Sequence, residues 1–349
     1  MAEPILTQRA LNRALLARQH LLARSPLGLV DVMEQMGGIQ TQYAPAGYIG
    51  LWSRMRDFER PMLTQALEER SAIQATMMRA TIHMVSAADY WPMTAGVRRI
   101  RREWFESVGR REVEKFDPGA VADAVRRELA DRHLSMKQLT ERLVGRGFPP
   151  VAAKWAGMWV DLVRVPPSGT WERRRADLYG LAGAWLPRVE VTEEQGMELL
   201  IRRYLGAFGP ASLKDIATWM GLNLGQMSHV AGRMDLQPLR DEAGKPLVDL
   251  SDAVLPDPDT PAPARFLAVW DAALLVHARR TQILPEEHRP LVFNTKTPHS
   301  VNTFLVDGQV AGTWRFEAGR IELAPFRDLS ATQRRDLGGE AERLATFHA

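Results

Sequence analysis

IQATMMRATIHMV, residues 73–85, decides the fold. It alternates, carries Thr76, Thr81, Ile82 and Val85, and reads as the two strands of a hairpin. Helices precede it. Thr7 is placed to cap a helix reaching Ala23, with Leu11, Ala14, Leu15 and Leu22 as its apolar stripe. A short helix from Leu29 to Met36 ends at Gly37-Gly38, and another runs from Pro61 to Glu69. Between them, residues 39–54 carry Pro45, Gly47 and Gly50 and read as loop or irregular structure. Helices followed by a hairpin are the order of a winged-helix unit. A long helix follows from Ala87 to Val108, with Val97, Ile100, Trp104 and Phe105 inward and Arg98, Arg99, Arg101 and Arg102 on its other face.

The order recurs. A helix is predicted from Ala120 to Ala130, and Ser135 caps a second to Leu143. Pro150 starts a third, with Trp155, Met158, Trp159, Leu162 and Val163 at helical spacing. PPSGTWERRRADLYGL, residues 166–181, then reads as a wing with a basic turn. A third round runs from the Thr192 helix through residues 211–222 and 223–234 to a second wing at 236–250. Rounds about 70–100 residues apart suggest a tandem array of irregular spacing. Four prolines in residues 255–266 mark a linker, after which short strands dominate. Asp307-Gly308 is a tight hairpin signal. The expected fold is therefore mainly α with β: three tandem winged-helix units plus a small C-terminal β-barrel or curled sheet. The expected boundaries are 1–118, 119–190, 191–256 and 257–349.

Composition narrows function by exclusion. Apolar residues make up 45% of the 349, enough for a real core. With no cysteine there are no disulfides, thiolate metal sites, iron–sulfur clusters or cysteine nucleophiles, which fits a reducing compartment. The eight histidines are scattered, with no metal-ligand spacing, and neither metal nor other cofactor is expected. There is no P-loop, no dinucleotide fingerprint and no nucleophile elbow. No apolar run approaches membrane-spanning length, and residues 1–13 lack the features of a signal peptide. Net charge is only +3, so any nucleic-acid partner depends on the distribution of charge.

Three places carry chemistry. In the first, Gln40 and Gln42 lie one residue apart just past a helix end. In an extended segment both amides point to one side. Carboxamides do not titrate and cannot act as strong bases. They either satisfy loop backbone, or hold a water and stabilise positive charge through their carbonyl oxygens. In the second, His277, Arg279, Arg280 and Gln282 sit at a strand end before Pro285, either as a solvated turn or as a reader of phosphates and base edges. The third is basic: Arg98, Arg101 and Arg102 with Arg110 and Arg111, and the wing residues Arg173, Arg174 and Arg175. Each of these reads as a phosphate contact or as an ordinary solvated face. His83 reads as a structural histidine.

GIQTQYAPAGYIGLWSR (38–54) resembles the signature of the AlkZ/YcaQ-like winged-helix DNA glycosylases. The similarity continues in order through MRATIHMVSAADYW (78–91), RYLGAFGPASLKDIATWMGL (203–222), VWDAALLVHARRTQILPEEHRPLVF (269–293) and TFLVDGQVAGTWRF (303–316). The resemblance implies tandem winged helices with a C-terminal barrel. It also implies removal of N-alkylated purines and unhooking of interstrand crosslinks. Gln40-Thr41-Gln42 resembles the Gln-x-Gln branch, associated with self-resistance to DNA-alkylating antibiotics, although Thr41 stands where that branch usually has an apolar residue. On this resemblance Gln40 and Gln42 are catalytic, and the loop with His277, Arg279, Arg280 and Gln282 enters a DNA groove. Tyr43 and Trp52 are expected to shape the pocket. The implied partner is double-stranded DNA bearing alkylated purines, met by a monomer in the bacterial cytoplasm, on the nucleoid when acting. No lysine lies in the motif to form a Schiff base, so simple hydrolysis is expected. The competing reading is a winged-helix transcription regulator without catalysis.

Overall fold

The computed structural model describes residues 3–274, 280–294 and 299–349. Strand β1 (Ile5–Leu6) leads into the helix Gln8–Arg18, capped by the Thr7 hydroxyl, which accepts from the Ala10 amide. The helix stops short of Ala23 because the chain turns at His20, whose φ is 53°. The helix Leu29–Gln35, β2 (Ile39–Gln40), and the helices Ala44–Arg54 and Arg60–Glu68 follow. Then come β3 (Ala72–Thr76), β4 (Ile82–Ser86) and the helix Ala87–Val108.

Residues 39–54 are thus mostly helix, not loop. Pro45 occupies the first turn, where an amide would go unused, and every residue of Ala44–Arg54 is buried. Gly47 marks close packing and not a break: a Cβ there would lie 2.5 Å from Met84 Cε on β4.

The helix Pro118–Glu128, β5 (Leu134–Ser135) and the Ser135-capped helix Met136–Gly145 come next. The helix Pro150–Trp155 runs into a single 3₁₀ turn, Ala156–Met158, before β6 (Leu162–Arg164) and β7 (Leu178–Leu181). The helix expected through Val163 therefore ends early. Gly157 and the β-branched Val160 and Val163 disfavour its continuation, and the sheet claims Leu162 and Val163. Trp155 and Trp159 pack on Phe105, at 4.0 and 5.1 Å between ring centres, whereas Trp104 is exposed and not inward.

The two hairpins are halves of one antiparallel sheet of order β2-β4-β3-β6-β7-β5, joined where Gln74 faces Arg164 and Ala75 faces Val163. Helices Glu193–Phe208, Leu213–Met220 and Leu224–Ala231 carry side-chain caps from Thr192, Ser212 and Asn223 and precede β8 (Leu236–Asp241) and β9 (Pro246–Leu250). Helix Glu193–Phe208 packs against Ala87–Val108 at Gly96 and Gly196, where a Cβ on Gly196 would lie 2.4 Å from the Gly96 nitrogen.

Downstream are β10 (Arg265–Leu267), β11 (Phe293–Asn294), β12 (His299–Ser300), β13 (Thr303–Val306), β14 (Gln309–Glu317), β15 (Arg320–Pro325) and the helix Ala331–His348. Among the described residues, β10-β13-β14-β15 form an open antiparallel sheet and no closed barrel. Strand β10 ends at Leu267, and Trp270 adopts a φ of 60°. Phe347 of the last helix packs on Trp52, Phe58 and Trp171. Arg54, fully buried, makes a bidentate pair with Asp271 at 2.8 and 2.9 Å, tying the helix Ala44–Arg54 to the turn after β10.

Candidate active site

Gln40 is the last residue of β2 and faces His83 across the antiparallel pair. The Thr41 amide adds one more bond, to the Ile82 carbonyl at 2.9 Å, and the chain then leaves the sheet. This exit divides the two glutamines: Gln40 and Thr41 are buried, whereas Gln42 and Tyr43 are exposed before the next helix begins. Residues 38–54 contain no Asp, Glu or Lys, so the segment offers amides and hydroxyls but no carboxylate and no amine nucleophile.

Arg79 engages Gln40, donating from Nη2 to Gln40 Oε1 at 2.9 Å. Its Nη1 donates to the Trp219 carbonyl, in the last turn of the helix Leu213–Met220. Arg79 lies in the turn between β3 and β4, where it and Ala80 take φ of 53° and 56°. Burial, the largest cause, brings its pKa down to about 10, which leaves it protonated at neutral pH. His83 is pushed down to about 3, first by burial and then by Arg79, so it is neutral; its Nδ1 lies 3.1 Å from the Thr81 carbonyl. The expectation of a structural histidine fits this environment.

The second predicted place approaches the first through Arg280. Its charge and the Tyr204 hydroxyl both act on Arg79. Arg280 is nevertheless buried, donating to the carbonyls of Ala272 and Ala273 at 2.8 and 3.1 Å and lying 4.6 Å above the Phe208 ring. It is a tertiary anchor at the foot of the segment 275–279, not a side chain offered to a groove. Gln282 is half-buried, its carbonyl accepting from Asn12 at 2.8 Å. His277 and Arg279 lie outside the described residues.

The basic helix face is mostly internal. Arg98 pairs with Asp161 at 2.9 Å, and Arg102 donates to the Met158 carbonyl at 2.9 Å. Arg101 is buried and donates to the Thr76 carbonyl. These arginines hold neighbouring elements together, which periodicity within one helix cannot reveal. The wing differs. Arg174 donates to the Tyr43 hydroxyl at 3.0 Å, linking the glutamine segment to the loop between β6 and β7. Arg175 pairs with Asp177, while Arg173, Arg110 and Arg111 are exposed and make no ion pair among the described residues. Trp52 packs on Phe347 and lies under the Arg24 guanidinium. Arg79 received no role from the sequence; its position in the turn of the predicted hairpin was the signal available.

The comparisons with known proteins agree on one family. The model of the family described as "DNA glycosylase AlkZ-like" matches residues 33–347. A curated relative from Streptomyces sahachiroi, named interstrand DNA cross-link repair glycosylase, is 23% identical over 94% of this chain and 93% of its own length. A solved structure, the DNA glycosylase AlkZ of Streptomyces sahachiroi, shares the mixed α/β fold with a TM-score of 0.82 at 19% identity, over 99% of this chain and 98% of that one. A match across nearly the whole chain places it: this protein belongs to the AlkZ-like DNA glycosylase family.

Proposed function

We propose that this protein hydrolyses the N-glycosidic bond of N7-alkylated purines in duplex DNA, bulky adducts and interstrand crosslinks included, and that it protects its host from a DNA-alkylating natural product. The carrying observation is an amide pair, Gln40 and Gln42, in a segment with no carboxylate and no lysine. Alkylation at N7 makes the base cationic. The C1′–N9 bond then breaks with its electron pair going to the base, which becomes neutral. The sugar is left oxocarbenium-like. Water bonds to C1′ and sheds a proton to solvent. Such a leaving group needs little acid catalysis, so a placed water and a polar, unionised surface suffice. A normal base, which must be protonated to leave, would be a poor substrate. The name of the Streptomyces sahachiroi relative supports extending the substrates to crosslinks.

In this reading the chain acts as a monomer in the bacterial cytoplasm. Residues 1–118, 119–190 and 191–256 form three winged-helix units, and 257–349 a β-rich C-terminal unit. The exposed Arg110, Arg111 and Arg173 contact phosphate, as does the segment with His277 and Arg279. The test is strand cleavage by hot mild base after incubation with duplex carrying N7-methylguanine, a bulky N7 adduct or a crosslink. The expected outcome is cleavage at the lesion by the native chain, reduced about 100-fold or more in Gln40→Ala or Gln42→Ala. No base release from any of the three substrates would overturn the proposal.

A further inference from the structure

The donor set around Gln40 settles which end of its amide is available. A guanidinium has only donors, so the atom it meets must be the carbonyl oxygen. Arg79 meets Gln40 Oε1, and among the described residues Gln40 Nε2 donates to nothing. Arg79 is itself held in place. Its second arm reaches the Trp219 carbonyl, one of the carbonyls a helix leaves unpaired at its C-terminus. Its backbone and that of Ala80 are left-handed, a strained arrangement for non-glycine residues that the surrounding contacts must maintain. Gln40 is buried and Gln42 is exposed.

We propose that Arg79 is a positioning residue that locks the Gln40 amide with its carbonyl turned inward, so that the two glutamines divide the work. Gln40 presents its NH2 as a donor, which orients the oxygen of the attacking water or of the substrate backbone. Gln42, which has no such lock among the described residues, supplies the carbonyl that faces developing positive charge. This rests on the hydrolytic reading above and refines it, since the sequence suggested the same carbonyl role for both residues. A charged partner makes the lock firm, because hydrogen bonds from an ionised donor are about twice as strong as neutral ones.

The experiment measures single-turnover release of N7-methylguanine from duplex DNA, alongside thermal melting, for Arg79→Met, Arg79→Lys, Gln40→Ala, Gln40→Glu and the double variant Arg79→Met/Gln40→Ala. If Arg79 acts through Gln40, Arg79→Met slows release by about 30-fold or more, and the double variant is no more than about twofold slower than Gln40→Ala. Arg79→Lys, which keeps the charge and one donor, recovers part of the rate. Gln40→Glu keeps an oxygen for Arg79 but lacks the NH2, so it melts at or above the native temperature yet releases base as slowly as Gln40→Ala. Rates that multiply in the double variant, a native rate for Arg79→Met, or a native rate for Gln40→Glu would each overturn the proposal. Should the native chain release no base from N7-methylguanine, from a bulky N7 adduct or from a crosslink, the hydrolytic reading fails separately. The melting cycle then decides the lock: a non-additive loss for Arg79→Met with Gln40→Ala supports it, and an additive loss overturns it.

Discussion

Replacing Asp271 by alanine strands a buried charge. Arg54 is 0% exposed, and Asp271 supplies two of its hydrogen bonds, at 2.8 and 2.9 Å. The remaining acceptors, the Gly50 carbonyl at 3.0 Å and Gln19 Oε1 at 3.2 Å, carry no charge. Removing one member of a buried pair costs about 3–5 kcal/mol, against about 0.2–1 kcal/mol for an exposed pair such as Arg315–Glu322. With an unfolding entropy of about 2.1 cal/mol/K per residue, a 349-residue chain melting as one unit loses about 1.4 °C per kcal/mol. Asp271→Ala should therefore melt about 4–7 °C below the native protein, and Glu322→Ala within about 1 °C of it. The assay is calorimetric melting, with the double variant Arg54→Met/Asp271→Leu as the decisive arm. If the cost is the stranded charge, removing both charges restores much of the loss. An Asp271→Ala shift below 1 °C, or a double variant worse than either single change, would refute the reasoning. The pair also joins the helix following Gln42 to the turn that leads into residues 275–279, so the same variant should weaken base release at temperatures where it remains folded.

Acid should act through His83. Burial holds its folded pKa down to about 3, against an ordinary histidine value of about 6.5, so the unfolded chain takes up the proton first. The associated stability is complete above about pH 6.5 and is lost as pH falls toward 3. Between pH 7 and 5 this amounts to about 2 kcal/mol, and urea unfolding of His83→Gln should show that much less pH dependence than the native chain. For nucleic-acid affinity, Arg173→Ala should make the log–log salt slope shallower by about 0.9 without changing the melting temperature, because the side chain is exposed and makes no ion pair among the described residues. Arg280→Ala should do the reverse, lowering the melting temperature through its lost carbonyl contacts, and a change in salt slope alone would contradict the placement of Arg280 in the interior.

The parts of the fold legible in the chain were those decided locally. Ser86, Ser135, Thr192, Ser212 and Asn223 cap helices whose amphipathic stripes lie beside them in the sequence, and Asp307-Gly308 turns the tight hairpin it announces. What was misread depended on distant partners. Gly47 and Pro45 look like loop residues until Met84 is seen to need the space and the first helical turn is seen to need no amide. The stripe from Trp155 to Val163 satisfies helical spacing, yet pairing with β3 and β7 draws its end into a sheet. The arginines of the Ala87–Val108 helix face were misread for the same reason. Nothing in RRIRRE separates Arg101, whose guanidinium ends on a strand carbonyl, from Arg99, which pairs with Glu103 and Glu193.

At the candidate site the same contrast has a chemical consequence. The proposed substrate carries a positive charge, which an arginine beside Gln40 repels. Two features limit that repulsion. One arm of Arg79 ends at the C-terminus of the helix Leu213–Met220, where the helix dipole is worth roughly half a negative charge. His83, which faces Gln40 across the sheet, is kept neutral by burial and by Arg79. The guanidinium can then orient the amide with about half of its charge offset by the helix end. This predicts that charge, and not bulk, is what the site is sensitive to. His83→Lys, if it folds, should impair release of a cationic base far more than His83→Gln does, and equal effects of the two would mean that the neutrality of this histidine has no part in the chemistry.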